Sequence, residues 1–204
     1  MKRCYLPHQA QDQWLKKPIA SLKLSAWLTE RGSLTQKLQQ HFSSLQVLPV
    51  CTQFKKSLPD EARLLHRPMY EHAMIREVLL YQKATALVFA HSVLPRASLR
   101  GAWQGLNRLG NKPLGAVLFA NPRVRRTQLR YKKLHRHDAL YRQAQAQLTK
   151  HGFAAQIPHL PAVLWARRSI FSLNCANILV TEVFLPSLIN KRNTTLPNPP
   201  LSLL

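Results

Sequence analysis

The sequence predicts an α+β domain built on a mainly antiparallel sheet, and three observations carry that expectation. Two pairs of consecutive apolar runs stand close enough to form hairpins: "AMIREVLLY" with "ATALVFAHSVLP", and "LWARRSIFSL" with "ANILVTEVFLP". Segments of helical periodicity lie around them, at "SAWLTERGSLTQKLQQHF", "ASLRGAWQGLNRLG" and "LHRHDALYRQAQAQLTKHG". The chain is 204 residues long and 46% apolar, which suits one domain over the whole of 1–204 with a sizeable core.

Taken in order, residues 1–23 are polar and irregular. "SAWLTERGSLTQKLQQHF" reads as two short helices broken at Gly32. Ser33 followed three residues later by Gln36 is a capping-box pattern, so the second helix starts there and leaves the Leu34 N–H among the unpaired donors of its first turn. "LQVLPVCTQF" has strand composition, with Pro49 indicating an edge or a bulge. A polar linker leads to the first hairpin, whose strands are separated by about three residues, "QKA". "ASLRGAWQGLNRLG" is expected to form a helix ending on Gly110. "NKPLGAVLF" then restarts one with Pro113 in its first turn and a second free leucine N–H, that of Leu114. "RVRRTQLRYKK" alternates like a strand with one basic face, and a basic amphipathic helix follows it. The second hairpin turns near residues 174–177, and the proline-rich tail from about 189 is expected to be flexible.

Thirty Lys and Arg against eight Asp and Glu give a formal charge of +22, which favours anionic partners: nucleic acid, acidic headgroups or small polyanionic substrates. No apolar run approaches the roughly 18 residues of a membrane span, and "MKRCYLPHQAQDQW" lacks the apolar region of a signal peptide, so a cytoplasmic location is expected. Cys4, Cys51 and Cys175 lack the C-x-x-C spacing of zinc or redox sites and read as free thiols. His135 and His137 lie two apart with no cysteine or second carboxylate beside them, so no metal site is expected.

The chemistry concentrates on two charges inside apolar strands. Arg76 shares a strand face with Met74, Val78 and Leu80, and Glu182 with Ile178, Val180 and Phe184, so both should be largely buried. An unpaired buried charge costs several kcal/mol, and each therefore needs a partner. They either pair with one another as a structural ion pair, or line a closed pocket in which Arg76 grips a ligand carboxylate and Glu182 handles a proton or a hydroxyl.

The order "IREVLL", "LNRLGNKPLGAVLF", "LWARRS", "TEVFLP" resembles the chorismate pyruvate-lyase family, over about residues 27–188 with a long basic segment interrupting it before Pro161. The resemblance implies helices closing over an internal active site, and conversion of chorismate to 4-hydroxybenzoate and pyruvate for ubiquinone biosynthesis without metal or organic cofactor. It implies that Arg76 holds the ring carboxylate, that Glu182 stands near the ring hydroxyl and the ether to be cleaved, and that the backbone amides of Leu34 and Leu114 complete the substrate contacts. Glu182, protonated, is then expected to assist departure of the ether oxygen as general acid, the alternative being that the C4 hydrogen moves within the substrate and Glu182 only orients the hydroxyl. The family often has methionine where this chain has Leu34, a change that a backbone contact tolerates. Arg167 and Arg168 are candidates for the second carboxylate of chorismate. His91 stands where relatives often carry arginine, a departure that bears on affinity and product release. The insertion, about residues 132–159, reads by default as a solvated basic face, with a nucleic-acid or membrane surface as the other reading. A monomer is expected, with no nucleic-acid partner and weak association with anionic membranes. The alternative function is a non-catalytic ligand-binding or basic nucleic-acid-binding module of similar fold.

Overall fold

The structure is a computed structural model that describes residues 14–21 and 23–190. Cys4 and the tail beyond residue 190 lie outside the described residues. Helices α1 (Ser25–Leu28) and α2 (Leu34–His41) are separated at Gly32, and Ser33 Oγ accepts from Gln36 N at 3.3 Å to cap α2. Strand β1 (Gln46–Lys56) lies at the edge of the sheet, and its register shifts between Pro49 and Cys51, which accommodates the missing proline N–H. The polar linker contains a helix that the sequence reading did not include, α3 (Pro59–Leu64). Proline starts it, and the Glu61 carboxylate accepts from Leu58 N at 3.0 Å.

Strands β2 (His72–Gln82) and β3 (Thr85–Pro95) form the first hairpin through a two-residue turn, with Gln82 opposite Thr85. The helix expected over 97–110 does not run through. Helix α4 (Arg96–Arg100) stops at Gly101, and a single 3-10 turn, Leu106–Arg108, follows Gly105, whose φ of 91° is a conformation open to glycine. Tertiary contacts hold this loop instead: Ser98 Oγ donates to Asn177 O and Trp103 Nε1 to Ala176 O, both at 2.8 Å.

Helix α5 (Leu114–Ala120) begins directly after Pro113. The basic strand expected over "RVRRTQLRYKK" is divided into β4 (Arg125–Arg126) and β5 (Arg130–His135), which pair with successive parts of one neighbour. Helix α6 (Ala139–Lys150) and a 3-10 segment, Ala154–His159, lead to β6 (Val163–Leu173) and β7 (Ala176–Phe184). Asn174 and Cys175, with φ of 48° and 61°, make the tight turn between those two strands, and α7 (Ser187–Asn190) follows.

The strand order is β1-β2-β3-β7-β6-β4, with β5 also on β6, and every pairing is antiparallel. Strand alternation sends Arg76, Val78 and Leu80 to one face and Glu77 and Leu79 to the other. Helices α1 and α2 pack Trp27, Leu28, Leu34 and Leu38 against the first face, and α5 joins them with Leu114 and Leu118. The basic segment over residues 132–159 covers the second face. Its Leu140, Tyr141, Ala144 and Leu148 are buried with Leu79, Phe89, Ala166 and Val183, while Arg142 and Lys150 remain exposed. Each large apolar side chain so buried is worth about 1.5–3 kcal/mol. The segment is thus a wall of the core with a basic outer surface. Among the described residues, no helix is long and apolar enough to cross a membrane.

Candidate active site

Arg76 and Glu182 point from the same sheet face into one cavity and do not pair. Arg76 lies opposite Ser92, and Glu182 lies opposite Ala90, two residues along β3. Two strand spacings across and two residues along separate their Cα atoms by about 12 Å. The cavity holds about 570 Å³ of empty space, counting its mouth, and its walls include Leu34, Arg76, Leu114, Arg126, Phe171 and Glu182. All four residues that the family resemblance assigns to the site therefore line the same space.

Arg76 is 4% exposed. Its Nη2 donates to Gly110 O at 3.0 Å and Lys112 O at 3.1 Å, carbonyls of the loop before α5, while Nε and Nη1 have no protein acceptor among the described residues. Burial pushes its guanidinium below the ordinary arginine value, with no carboxylate among the described residues acting to restore it. A buried cation held only by neutral carbonyls is a seat for an anion. Leu34 and Leu114 are the first residues of α2 and α5, and neither backbone N–H has an acceptor among the described residues. The two helix starts meet closely: a Cβ on Gly115 would lie 3.0 Å from Ser33 Oγ, so glycine is what lets them approach.

Glu182 is one half of an ion pair. Arg167, directly opposite it on β6, is fully buried and donates Nε to Glu182 Oε2 at 2.5 Å. Arg167 Nη1 also reaches the carbonyls of Trp27 (2.9 Å), Leu28 (3.1 Å) and Glu30 (2.7 Å), so one side chain ties the acid to the loop between α1 and α2. The reading of Arg76 and Glu182 as a mutual ion pair is therefore corrected, and Arg167 stands behind Glu182 rather than in the cavity wall. Arg168 is on the opposite face, where Nη1 meets Asp60 Oδ2 at 2.7 Å and the guanidinium covers Trp14.

Arg126 is the cavity residue that the sequence did not single out. Its Nε donates to Ser169 Oγ and its Nη1 to Arg31 O, each at 2.8 Å, and its guanidinium lies over the rings of Phe119 and Phe171. Burial pushes it down to about 10 while nearby Glu182 opposes that shift, so it remains charged at neutral pH. "RVRR" contains several arginines, and only the later packing of β4 on β6 distinguishes this one.

His91 faces away from the cavity. Its Nδ1 lies 3.1 Å from Glu77 Oε1 and its Nε2 3.2 Å from Glu61 Oε1, all three groups being buried. Burial lowers the imidazole pKa, but the two carboxylates outweigh it and raise the value to about 9. The departure from arginine at this position thus falls in the second-face core, away from the cavity wall.

Residues 9–194 match the chorismate lyase family. The chain is 44% identical over 179 residues to a probable chorismate pyruvate-lyase of Methylobacillus flagellatus, spanning 88% of this chain and 96% of that protein. It is 46% identical over 180 residues to a probable chorismate pyruvate-lyase of Nitrosospira multiformis, spanning 87% and 95%. Among solved structures, the C-terminal domain of PhnF superposes with a TM-score of 0.51 and 13% identity over 74% of this chain and 88% of that one, a likeness of fold.

Proposed function

The chain belongs to the chorismate lyase family, and from that premise we propose that the cavity between Arg76 and Glu182 is where it splits chorismate. The enzyme is a carbon–oxygen lyase that converts chorismate to 4-hydroxybenzoate and pyruvate, a step of ubiquinone biosynthesis. In this reaction the C3–O ether bond breaks, and its electron pair becomes the carbonyl of pyruvate. The C4 hydrogen ends on the former enolpyruvyl methylene, and the electrons of the C4–H bond complete the aromatic ring. Aromatisation drives the elimination, so the protein has mainly to bind and orient.

The observation that carries the assignment to this cavity is the separation of its two charges. The product has a carboxylate and a hydroxyl at opposite ends of its ring, and Arg76 and Glu182 enter one cavity from strands two apart on the same sheet face, with Cα atoms about 12 Å from one another. On this reading Arg76 and the amides of Leu34 and Leu114 hold the ring carboxylate, and Glu182 meets the C4 hydroxyl. The ion pair with Arg167 favours Glu182 as an acceptor that orients the hydroxyl, with the C4 hydrogen passing within the substrate, over Glu182 as a general acid at the ether oxygen.

Incubation with chorismate, following 4-hydroxybenzoate by chromatography and pyruvate by a coupled assay, should yield equal amounts of both products. Arg76→Ala should abolish turnover at ordinary substrate concentrations. A variant that kept wild-type kcat/KM would remove Arg76 from the site. The proposal also takes the protein to be a cytoplasmic monomer without a nucleic-acid partner, its charge of +22 giving weak attraction to anionic membranes. Size-exclusion chromatography and flotation with anionic against neutral vesicles test this. A dimer, or no preference for anionic lipid, would count against the respective part.

A further inference from the structure

Chorismate carries two carboxylates, and the reading above gives a cation to only one of them. From the cavity wall we infer that Arg126 binds the enolpyruvyl carboxylate, an inference that rests on the assignment of chorismate to this cavity. Among the described residues, Arg76 and Arg126 are the arginines in that wall. Arg167 is held behind Glu182, and Arg168 is on the far face with Asp60.

The position of Arg126 follows from the pairing of the strands. Arg126 is opposite Phe171, and its side chain reaches Ser169, which pairs with Val180, two residues from Glu182. It lies within electrostatic reach of Glu182, whereas no carboxylate among the described residues acts on Arg76. Arg126 therefore serves the Glu182 end of the cavity. The enolpyruvyl ether at C3 neighbours the C4 hydroxyl, so a substrate with its hydroxyl at Glu182 carries the second carboxylate towards Arg126.

The side chain is also prepared for an anion. Ser169 and the carbonyl of Arg31 fix Nε and Nη1, the guanidinium lies over the rings of Phe119 and Phe171, and Nη2 has no protein acceptor among the described residues. A guanidinium pre-oriented in this way loses little side-chain freedom when it binds a carboxylate. Arg126 further borders an open groove that contains Lys16, Lys17 and Arg31. Once the C3–O bond has broken, pyruvate is held by its carboxylate at the boundary between the cavity and this groove, on a path to solvent that does not pass Arg76.

The product separates this role from a structural one, because 4-hydroxybenzoate lacks the enolpyruvyl carboxylate. Arg126→Gln should lower kcat/KM for chorismate by about 10- to 100-fold, the range expected for loss of a charge-assisted hydrogen bond, while the Kd for 4-hydroxybenzoate changes less than about threefold. Arg126→Lys should recover part of the loss, and inhibition by added pyruvate should weaken in the Gln variant. A kcat/KM within threefold of wild type, or an equal loss of affinity for 4-hydroxybenzoate, would overturn the assignment of Arg126 alone. Absence of turnover by the wild-type protein would instead remove the lyase reading, and this inference with it.

Discussion

Glu182 enters the cavity already bound to a guanidinium, and that contact bears on how the proton travels. Arg167 donates its Nε–H to Oε2, the nitrogen and oxygen 2.5 Å apart, and this holds the glutamate as an acceptor. A carboxylate so held can receive the C4 hydroxyl on its other oxygen, but giving a proton to the ether would leave Arg167 a buried cation facing a neutral acid. Glu182→Gln keeps an acceptor oxygen, so kcat should fall by about tenfold or less, and deuterium at C4 should slow turnover in both proteins. A fall of about 10²–10⁴-fold, the range of a lost general acid, with no isotope effect in the wild type, would restore the acid role. The face of Glu182 was legible in the sequence because alternation decides it. Its partner depended on the turn. With Leu173 opposite Ala176, six residues back along β6 and six forward along β7 bring Arg167 opposite Glu182. A turn placed over 174–177 keeps every residue on its face but shifts the pairing by two, which hides this ion pair. Arg126 was less legible still, since nothing local separates it from Arg123 or Arg125.

At the scale of elements, α6 shows how a segment rich in positive charge can be core. Leu140, Tyr141, Ala144 and Leu148 recur on one helical stripe and close the second face of the sheet, and Tyr141 Oη donates to Pro161 O at 2.8 Å. Leu148 is fully buried, so Leu148→Ala should cost about 2–4 kcal/mol in denaturant unfolding. Because α6 lies across the sheet from the cavity, affinity for 4-hydroxybenzoate should stay within about twofold of wild type in the folded variant. Equal damage to binding would mean that α6 helps to shape the cavity. The hairpins, the break at Gly32 and the bulge at Pro49 were readable because turn chemistry and alternation are local. The loop over 101–113 was not, because its shape depends on Trp103 and Ser98 reaching residues more than seventy positions away. Helix α3 was missed because its six residues carry little apolar periodicity, and Glu61 serves it both as a cap and as a partner for His91.

For the whole molecule, the charge of +22 and the buried cluster around His91 predict opposite responses to pH. Rising pH removes positive charge and relieves self-repulsion, which alone would make the protein more stable. The cluster works the other way. His91 on β3 faces Glu77 on β2, Glu61 on α3 and, beyond Glu77, Lys55 on β1 and Gln147 on α6. Its pKa rises from 6.5 in the unfolded chain to about 9 in the folded one, so the folded state binds the extra proton throughout that interval. The stabilisation is fully present below pH 6.5 and is lost as pH rises through 9, leaving two buried carboxylates without their cation. The loss should amount to roughly 1–3 kcal/mol. The free energy of unfolding, measured by denaturant at intervals from pH 6 to 9.5, should therefore fall across that range. His91→Gln should be less stable at pH 6 and should lose the downward slope. Stability that rose from pH 6.5 to 9 in the wild type would show that self-repulsion outweighs the cluster, and a slope unchanged in the variant would place the titrating group elsewhere.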